Sequence, residues 1–249
     1  MSILAQVDLT LALPAEAYEE QLPAKQAAVS LLMRQVLAQK RPVVIVFEGS
    51  DPAGQGDAIK RLTEKLDPRF YVVYRNAPAE GEDKVRPYLY RFWRRLPGRG
   101  YAAVFDGSWY ECVLADRVDG ECTPAEWGRS YRELDQFERQ LTDFGAIVVK
   151  FWLHVGADEQ ARRANASDTP VWSAARCARY EEAAEEMLLK TSTVGAPWTI
   201  VEANDAAWAE FRVLDVTAET LARELAPVAE PTGEGSDAGS GKKAKKVKV

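Results

Sequence analysis

The sequence predicts an α/β protein: a parallel sheet with helices packed on both faces. Three observations predict it. Short runs rich in β-branched and aromatic residues recur at positions 43–47, 70–74, 101–106, 146–154 and 198–203. Segments with helical apolar spacing separate them, the alternation that builds parallel sheets. The first run also empties into a glycine-rich turn that leads straight into a helical pattern, so ligands are expected at the carboxyl ends of the strands.

Length and composition agree with one such unit. The chain has 249 residues, 47% hydrophobic and 28% charged, enough to bury a single substantial core. It contains no apolar run of about 18 residues and no signal-peptide pattern, so the expectation is a soluble cytoplasmic protein with no membrane partner. Cys112, Cys122 and Cys177 show no metal-ligand spacing and read as ordinary reduced thiols.

Residues 1–40 read as an N-terminal helical arm. Pro14 opens the helix, and Leu22, Ala28, Leu31, Leu32, Val36 and Leu37 give it an apolar face toward the core or a second subunit. The strand at 43–47 follows. Gly49 and Gly54 then stand at the G-x-x-x-x-G spacing of a phosphate-binding loop, in which backbone N–H groups reach phosphate oxygens at a helix N-terminus. The usual lysine is replaced by Gln55, and Gly56 follows where a hydroxyl residue is common. A tight strand-to-helix turn without a ligand is the plainer reading. Ala58, Ile59, Leu62 and Leu66 carry the next helix, and residues 70–74 read as a second buried strand. Residues 87–95 read as a helix of mixed basic and aromatic faces.

The third strand, 101–106, ends in Asp106. An acid at the carboxyl end of a parallel strand beside a phosphate loop is placed to bind magnesium; capping the next helix is the competing role. The fourth strand ends in the sole histidine, His154, for which a hydrogen-bonded structural role is expected. After the fifth strand and a final helix, residues 226–249 have a linker composition followed by Lys242, Lys243, Lys245, Lys246 and Lys248. This is a disordered basic tail that suits polyanions by charge alone, or serves only solubility.

Taken together, several motifs resemble one family. They are residues 47–56 (Phe-Glu-Gly-Ser-Asp-Pro-Ala-Gly-Gln-Gly), 66–69 (Leu-Asp-Pro-Arg), 91–97 (Arg-Phe-Trp-Arg-Arg-Leu-Pro), 105–110 (Phe-Asp-Gly-Ser-Trp-Tyr), 117–118 (Arg-Val), 150–154 (Lys-Phe-Trp-Leu-His), 191–193 (Thr-Ser-Thr) and 196–198 (Ala-Pro-Trp). In this order they resemble the polyphosphate kinase 2 family, closest to its polyphosphate:AMP phosphotransferase subgroup. The resemblance implies a P-loop kinase-like three-layer α/β sandwich over residues 41–225. It implies phosphate transfer between inorganic polyphosphate and a nucleoside mono- or diphosphate with Mg²⁺, and a homo-oligomer or a pairing with an active homologue.

By the same resemblance Asp51 and Asp106 organise magnesium and phosphates, and Gly49, Gly54, Gln55 and Gly56 form the phosphate loop. Lys60, Arg61, Arg69 and Arg117 are the further candidates for polyanion contacts. The chain departs from the family pattern at Gln55 (lysine in the family), at Gly107 (arginine), in the nearly uncharged lid segment 165–173, and at Ala206 and Glu210. The losses at Gln55 and Gly107 remove positive charge next to the transferring phosphate. A weakened phosphotransferase is therefore expected, the alternative being an inactive relative that binds nucleotide or polyphosphate or serves as a scaffold.

Overall fold

The central strand, β1 (Val43–Gly49), is buried along its whole length because strands flank it on both edges and helices cover both its faces. A computed structural model describes residues 2–50, 52–166 and 172–225; Asp51, part of the lid segment and the basic tail lie outside the described residues. The sheet is parallel throughout, in the order β2-β3-β1-β4-β5, with β2 at Tyr71–Arg75, β3 at Ala102–Asp106, β4 at Ile147–His154 and β5 at Trp198–Glu202. Continuous Val, Ile and Phe side chains suit β1 and β4, which have no solvent face.

On one face lie α1 (Ala15–Ala38), α2 (Gln55–Thr63) and α8 (Ala206–Leu225), whose Val29, Val36, Ile59, Leu62, Val213 and Leu221 pack on Ile45, Phe47 and Phe151. The other face is covered by α3 (Tyr90–Trp93), α4 (Ala115–Asp119), α5 (Pro124–Asp143) and α7 (Ala174–Thr191), around Trp109, Tyr110, Phe137 and Trp152. The remaining helix, α6 (Ala157–Ala166), follows β4. This is the three-layer α/β sandwich that the sequence predicts.

The N-terminal segment touches both layers. Leu4 is buried on the α5/α7 face, with its N–H donating to Glu185 at 3.0 Å, whereas α1 lies along α8 on the opposite face. Among the described residues no helix is long and apolar enough to cross a membrane.

Two local expectations change. The strand expected to be buried at 70–74 is an edge strand: Val72 and Val73, which point to opposite faces, are 49% and 40% exposed because only β3 pairs with it. The helix expected over 87–95 shrinks to Tyr90–Trp93, preceded by a turn at Pro87, since arginine and aromatic side chains on all sides leave no apolar stripe to bury.

Candidate phosphate site

The loop after β1 owes its shape to glycine. A Cβ on Gly49 would lie 2.7 Å from the carbonyl oxygen of Leu153 on β4, so no larger residue fits between the strands. Gly54 adopts φ +93°, a left-handed conformation that starts α2 without strain. The Tyr180 hydroxyl donates to Gly49 O at 3.1 Å from α7. From α6, Arg163 donates to Ala53 O (3.1 Å), Ala203 O (2.6 Å) and Asn204 O (2.9 Å), tying the loop to the end of β5. Among the described residues no side chain caps α2, whose N-cap is Gly54, so its first-turn amides and the positive end of its dipole are placed to meet an anion.

Asp106 faces this loop across the β1–β3 seam. Its Cα registers with Phe47 on β1 and with Arg75 on β2, and Gly107 N–H donates to Phe47 O at 3.0 Å. Between loop and strand end opens a cleft of about 580 Å³. Its charged lining is mostly acidic: Glu48, Asp57, Asp106 and Glu111 against Arg75.

These carboxyls are not equivalent. Glu48 is buried at the end of β1, where loss of water pushes its carboxyl up to about 8 against the opposing effect of the Ser108 hydroxyl, which donates to it at 2.7 Å. It is therefore largely neutral at pH 7 and adds little charge to the cleft. Glu111 is held by Asn76 Nδ2 (2.6 Å) and Arg91 (2.7 Å), which fixes it as an oriented wall residue. The oxygen of the same Asn76 amide, Oδ1, is buried at the cleft edge with no partner among the described residues. Asp116 on α4 is raised to about 6 by burial and by the nearby Glu111.

Beneath the cleft floor a second carboxylate is fully paired. Lys150 Nζ donates to Glu138 Oε2 (2.7 Å), Tyr110 hydroxyl (2.9 Å) and Thr191 O (2.8 Å). Glu138 Oε1 accepts from Trp109 Nε1 (3.0 Å) and Tyr110 hydroxyl (2.5 Å). Every Lys150 proton has an acceptor, which is the condition for a buried ion pair to be tolerated. The network anchors the turn that follows Asp106, so the acid stands on a rigid base.

The polyphosphate kinase 2 family model matches residues 12–227, nearly all of the described chain. The chain belongs to the polyphosphate kinase 2 family. A polyphosphate:AMP phosphotransferase of Pseudomonas syringae is 39% identical over 236 residues, covering 90% of this chain and 47% of that protein. One from Pseudomonas aeruginosa is 41% identical over 223 residues, covering 85% and 45%. The chain thus spans about half the length of these curated relatives. The crystal structure of polyphosphate kinase 2 from Arthrobacter aurescens superposes with a TM-score of 0.82 at 27% identity, covering 95% of this chain and 89% of that one.

Within this family fold, the residues singled out from sequence divide into two groups. Gly54, Gln55, Gly56 and Asp106 line the cleft, and Gly49 stands behind it at the end of β1, its O accepting from Gln55 Nε2 at 3.5 Å. Asp51 lies outside the described residues. The cations fall elsewhere. Lys60 is exposed on α2 away from the cleft lining, and Arg69 is exposed and paired with Asp67 at 2.6 Å. Arg61 donates to Glu210 and to Glu64, each at 2.9 Å, with Tyr18 also donating to Glu210. Arg117 bonds Glu186 (2.6 Å) and the Tyr131 hydroxyl (3.1 Å) and stacks 4.0 Å from the Trp127 ring centre.

Sequence reasoning missed Glu48, Asp57, Arg75, Asn76 and Glu111. Glu48 carried a signal: a carboxylate inside an otherwise apolar strand, directly before the loop glycine, must be buried at the mouth of the site. Asp57 lies in the first turn of α2, next to the loop, whereas Arg75, Asn76 and Glu111 sit at or beyond strand ends and come to the cleft through sheet order.

Gly107, where the resemblance implies an arginine, is held to glycine by geometry. Its φ is +71°, and a Cβ would meet Asn76 Cβ at 3.0 Å. An arginine there requires a different turn, so the missing cation and the left-handed glycine belong together.

Proposed function

We propose that this chain transfers a phosphoryl group between inorganic polyphosphate and a nucleoside phosphate, AMP or ADP, with Mg²⁺, and that it does so slowly. The observation that carries the reading is the placement of Asp106 across a cleft from an uncapped glycine loop, on the fold of a family whose curated relatives include polyphosphate:AMP phosphotransferases.

The donor set suits magnesium. Among the described residues no cluster of three or more acids, cysteines or histidines forms a complete metal cage. Magnesium is commonly held by one or two carboxylates together with substrate phosphates, and Asp106, with Asp51 from the loop, supplies such oxygens. Bound there, the ion would neutralise phosphate oxygens that an acidic cleft otherwise repels. The chain's own residues do the rest. The α2 amides hold a phosphate by hydrogen bonds, and the neutral Glu48 keeps one negative charge out of the site. The Glu138–Lys150 network holds the turn after Asp106 in place, so the reacting groups are positioned rather than merely attracted.

Slow turnover follows from Gln55 and Gly107. Each removes a cation from the developing charge, and loss of one such donor typically lowers the rate by about a hundredfold. The test is transfer from long-chain polyphosphate to AMP or ADP with Mg²⁺, products being separated by chromatography. Magnesium-dependent product is expected, falling at least about a hundredfold in Asp106→Asn. No product from folded wild-type protein at high concentration overturns the proposal.

A further inference from the structure

Cys112 and Cys122 do not behave as the unrelated thiols that their spacing suggests. Their Sγ atoms are 2.8 Å apart, closer than two sulfurs rest without bonding or sharing a proton. Cys112 is buried, in the short turn Glu111–Val113, and its sulfur also lies 3.4 Å from the Ser130 hydroxyl. Cys122 is partly exposed, just beyond α4, which is capped by Gly120. Cys177 lies on α7, its sulfur 3.9 Å from Gln160.

We propose that Cys112 and Cys122 form a reversible intramolecular disulfide, closing a ring around α4 that fixes one wall of the phosphate cleft. The ring would enclose Leu114 and Ala115, which line the cleft, and its first member adjoins Glu111, the wall carboxylate held by Asn76 and Arg91. The oxidant is a low-molecular-weight disulfide, RSSR. Cys122, the accessible thiol, gives up its proton and attacks one sulfur of RSSR. The S–S bond breaks, one RSH leaves with that proton, and Cys122–S–S–R remains. Cys112 then loses its proton and attacks the Cys122 sulfur, releasing the second RSH. Two protein thiols are oxidised by two electrons, and one RSSR is reduced to two RSH.

Two features favour the closed form. The reacting sulfurs are already in contact, so the second step is intramolecular with little chain movement. Burial and the neighbouring Cys112 sulfur hold the Cys122 thiol above the ordinary range. Strongly oxidising disulfides are those whose reduced form gains from a stabilised thiolate, so the opposite setting makes a disulfide that resists reduction but forms slowly near neutral pH.

The test needs no assumption about the reaction the protein catalyses. The full chain is equilibrated in glutathione buffers from fully reduced to fully oxidised, quenched by alkylation in denaturant and digested for mass spectrometry. The thiol count should fall from three to one, with a peptide linking Cys112 to Cys122 and the alkylated thiol on Cys177. Cys177→Ser should still form the link, and Cys122→Ser should abolish it. Oxidised wild type should melt about 5 °C higher and exchange the amides of residues 113–121 more slowly, both changes disappearing on reduction. Three alkylatable thiols after full oxidation overturn the proposal, as does a persistent glutathione adduct on Cys122 or a link through Cys177.

Discussion

Glu138 and Glu48 are both buried carboxyls within one small region, and they are treated in opposite ways. Glu138 is given a lysine, a tyrosine hydroxyl and an indole N–H, so both its oxygens have protein donors without water. Glu48 has one serine hydroxyl to hold its charge, and loss of water, with a smaller push from the acidic neighbours Glu111 and Asp106, drives it toward its neutral form. The first arrangement is complete within the protein and carries structure. The second is incomplete, and the cleft it borders has more acids than cations. A fold that satisfies one buried carboxyl so fully has the means to satisfy the other, and the deficit falls beside the open cleft.

The largest effect should come from breaking the complete site. Lys150→Met removes the cation and leaves Glu138 buried against two aromatic donors, an uncompensated charge that costs about 3–5 kcal/mol. Chemical denaturation should show that loss. The double variant Lys150→Met, Glu138→Gln should recover part of it, because the charge is then gone. A loss below about 1 kcal/mol in the single variant would mean that water reaches Glu138 and that the network is not the rigid base described.

The fold was legible where the physics is local, and the site only in part. Runs such as 43–47 and 147–151 have no alternative to a buried strand, whereas residues 70–74 have the same composition and lie at an edge, because burial depends on neighbours that the run itself does not name. Asp106 was legible because it ends such a run. Arg61 and Arg117 were read as candidate polyanion contacts. Their partners, Glu210 and Glu186, are 149 and 69 residues away in sequence, a separation that no local pattern encodes.

An effect of similar size, spread over several pH units, tests the incomplete site. With its folded-state value near 8 against an ordinary 4.5, the Glu48 carboxyl binds more protons in the folded than in the unfolded chain between those limits. Its contribution to stability is therefore fully present below about pH 4.5 and is lost as pH rises through 8, with a slope of up to about 1.4 kcal/mol per pH unit. Glu48→Gln keeps the shape and an acceptor for Ser108 while removing the titration. The difference in stability between variant and wild type should grow in the variant's favour from pH 5 to pH 8. Parallel pH profiles would show that Glu48 keeps water or a cation in the folded state.

Smaller again is the effect of returning a cation to the loop. Gln55 stands at the cleft, and unlike Gly107 its position tolerates a long side chain without backbone change. Gln55→Lys should tighten binding of tripolyphosphate by about tenfold at low salt, the benefit shrinking as salt screens it. Calorimetric titration at two ionic strengths would measure both. Gly107→Arg alone should gain less, because strain at φ +71° and the contact with Asn76 oppose it.

The smallest expected change is the most discriminating for the cations outside the cleft. Arg61 is already engaged by Glu64 and Glu210 beside Tyr18, and a guanidinium held by two carboxylates has little left to offer a phosphate. Arg61→Gln should therefore leave tripolyphosphate affinity within about twofold of wild type, while stability falls by no more than about 1 kcal/mol for the lost, partly exposed pairs. Glu210→Gln is the sharper half of the comparison. It releases one of the two acids, so if Arg61 can swing to the loop, affinity rises in Glu210→Gln and the rise disappears when Arg61→Gln is added. No change in either variant would mean that Arg61 supplies no positive charge to the acidic cleft, whether or not its acids release it.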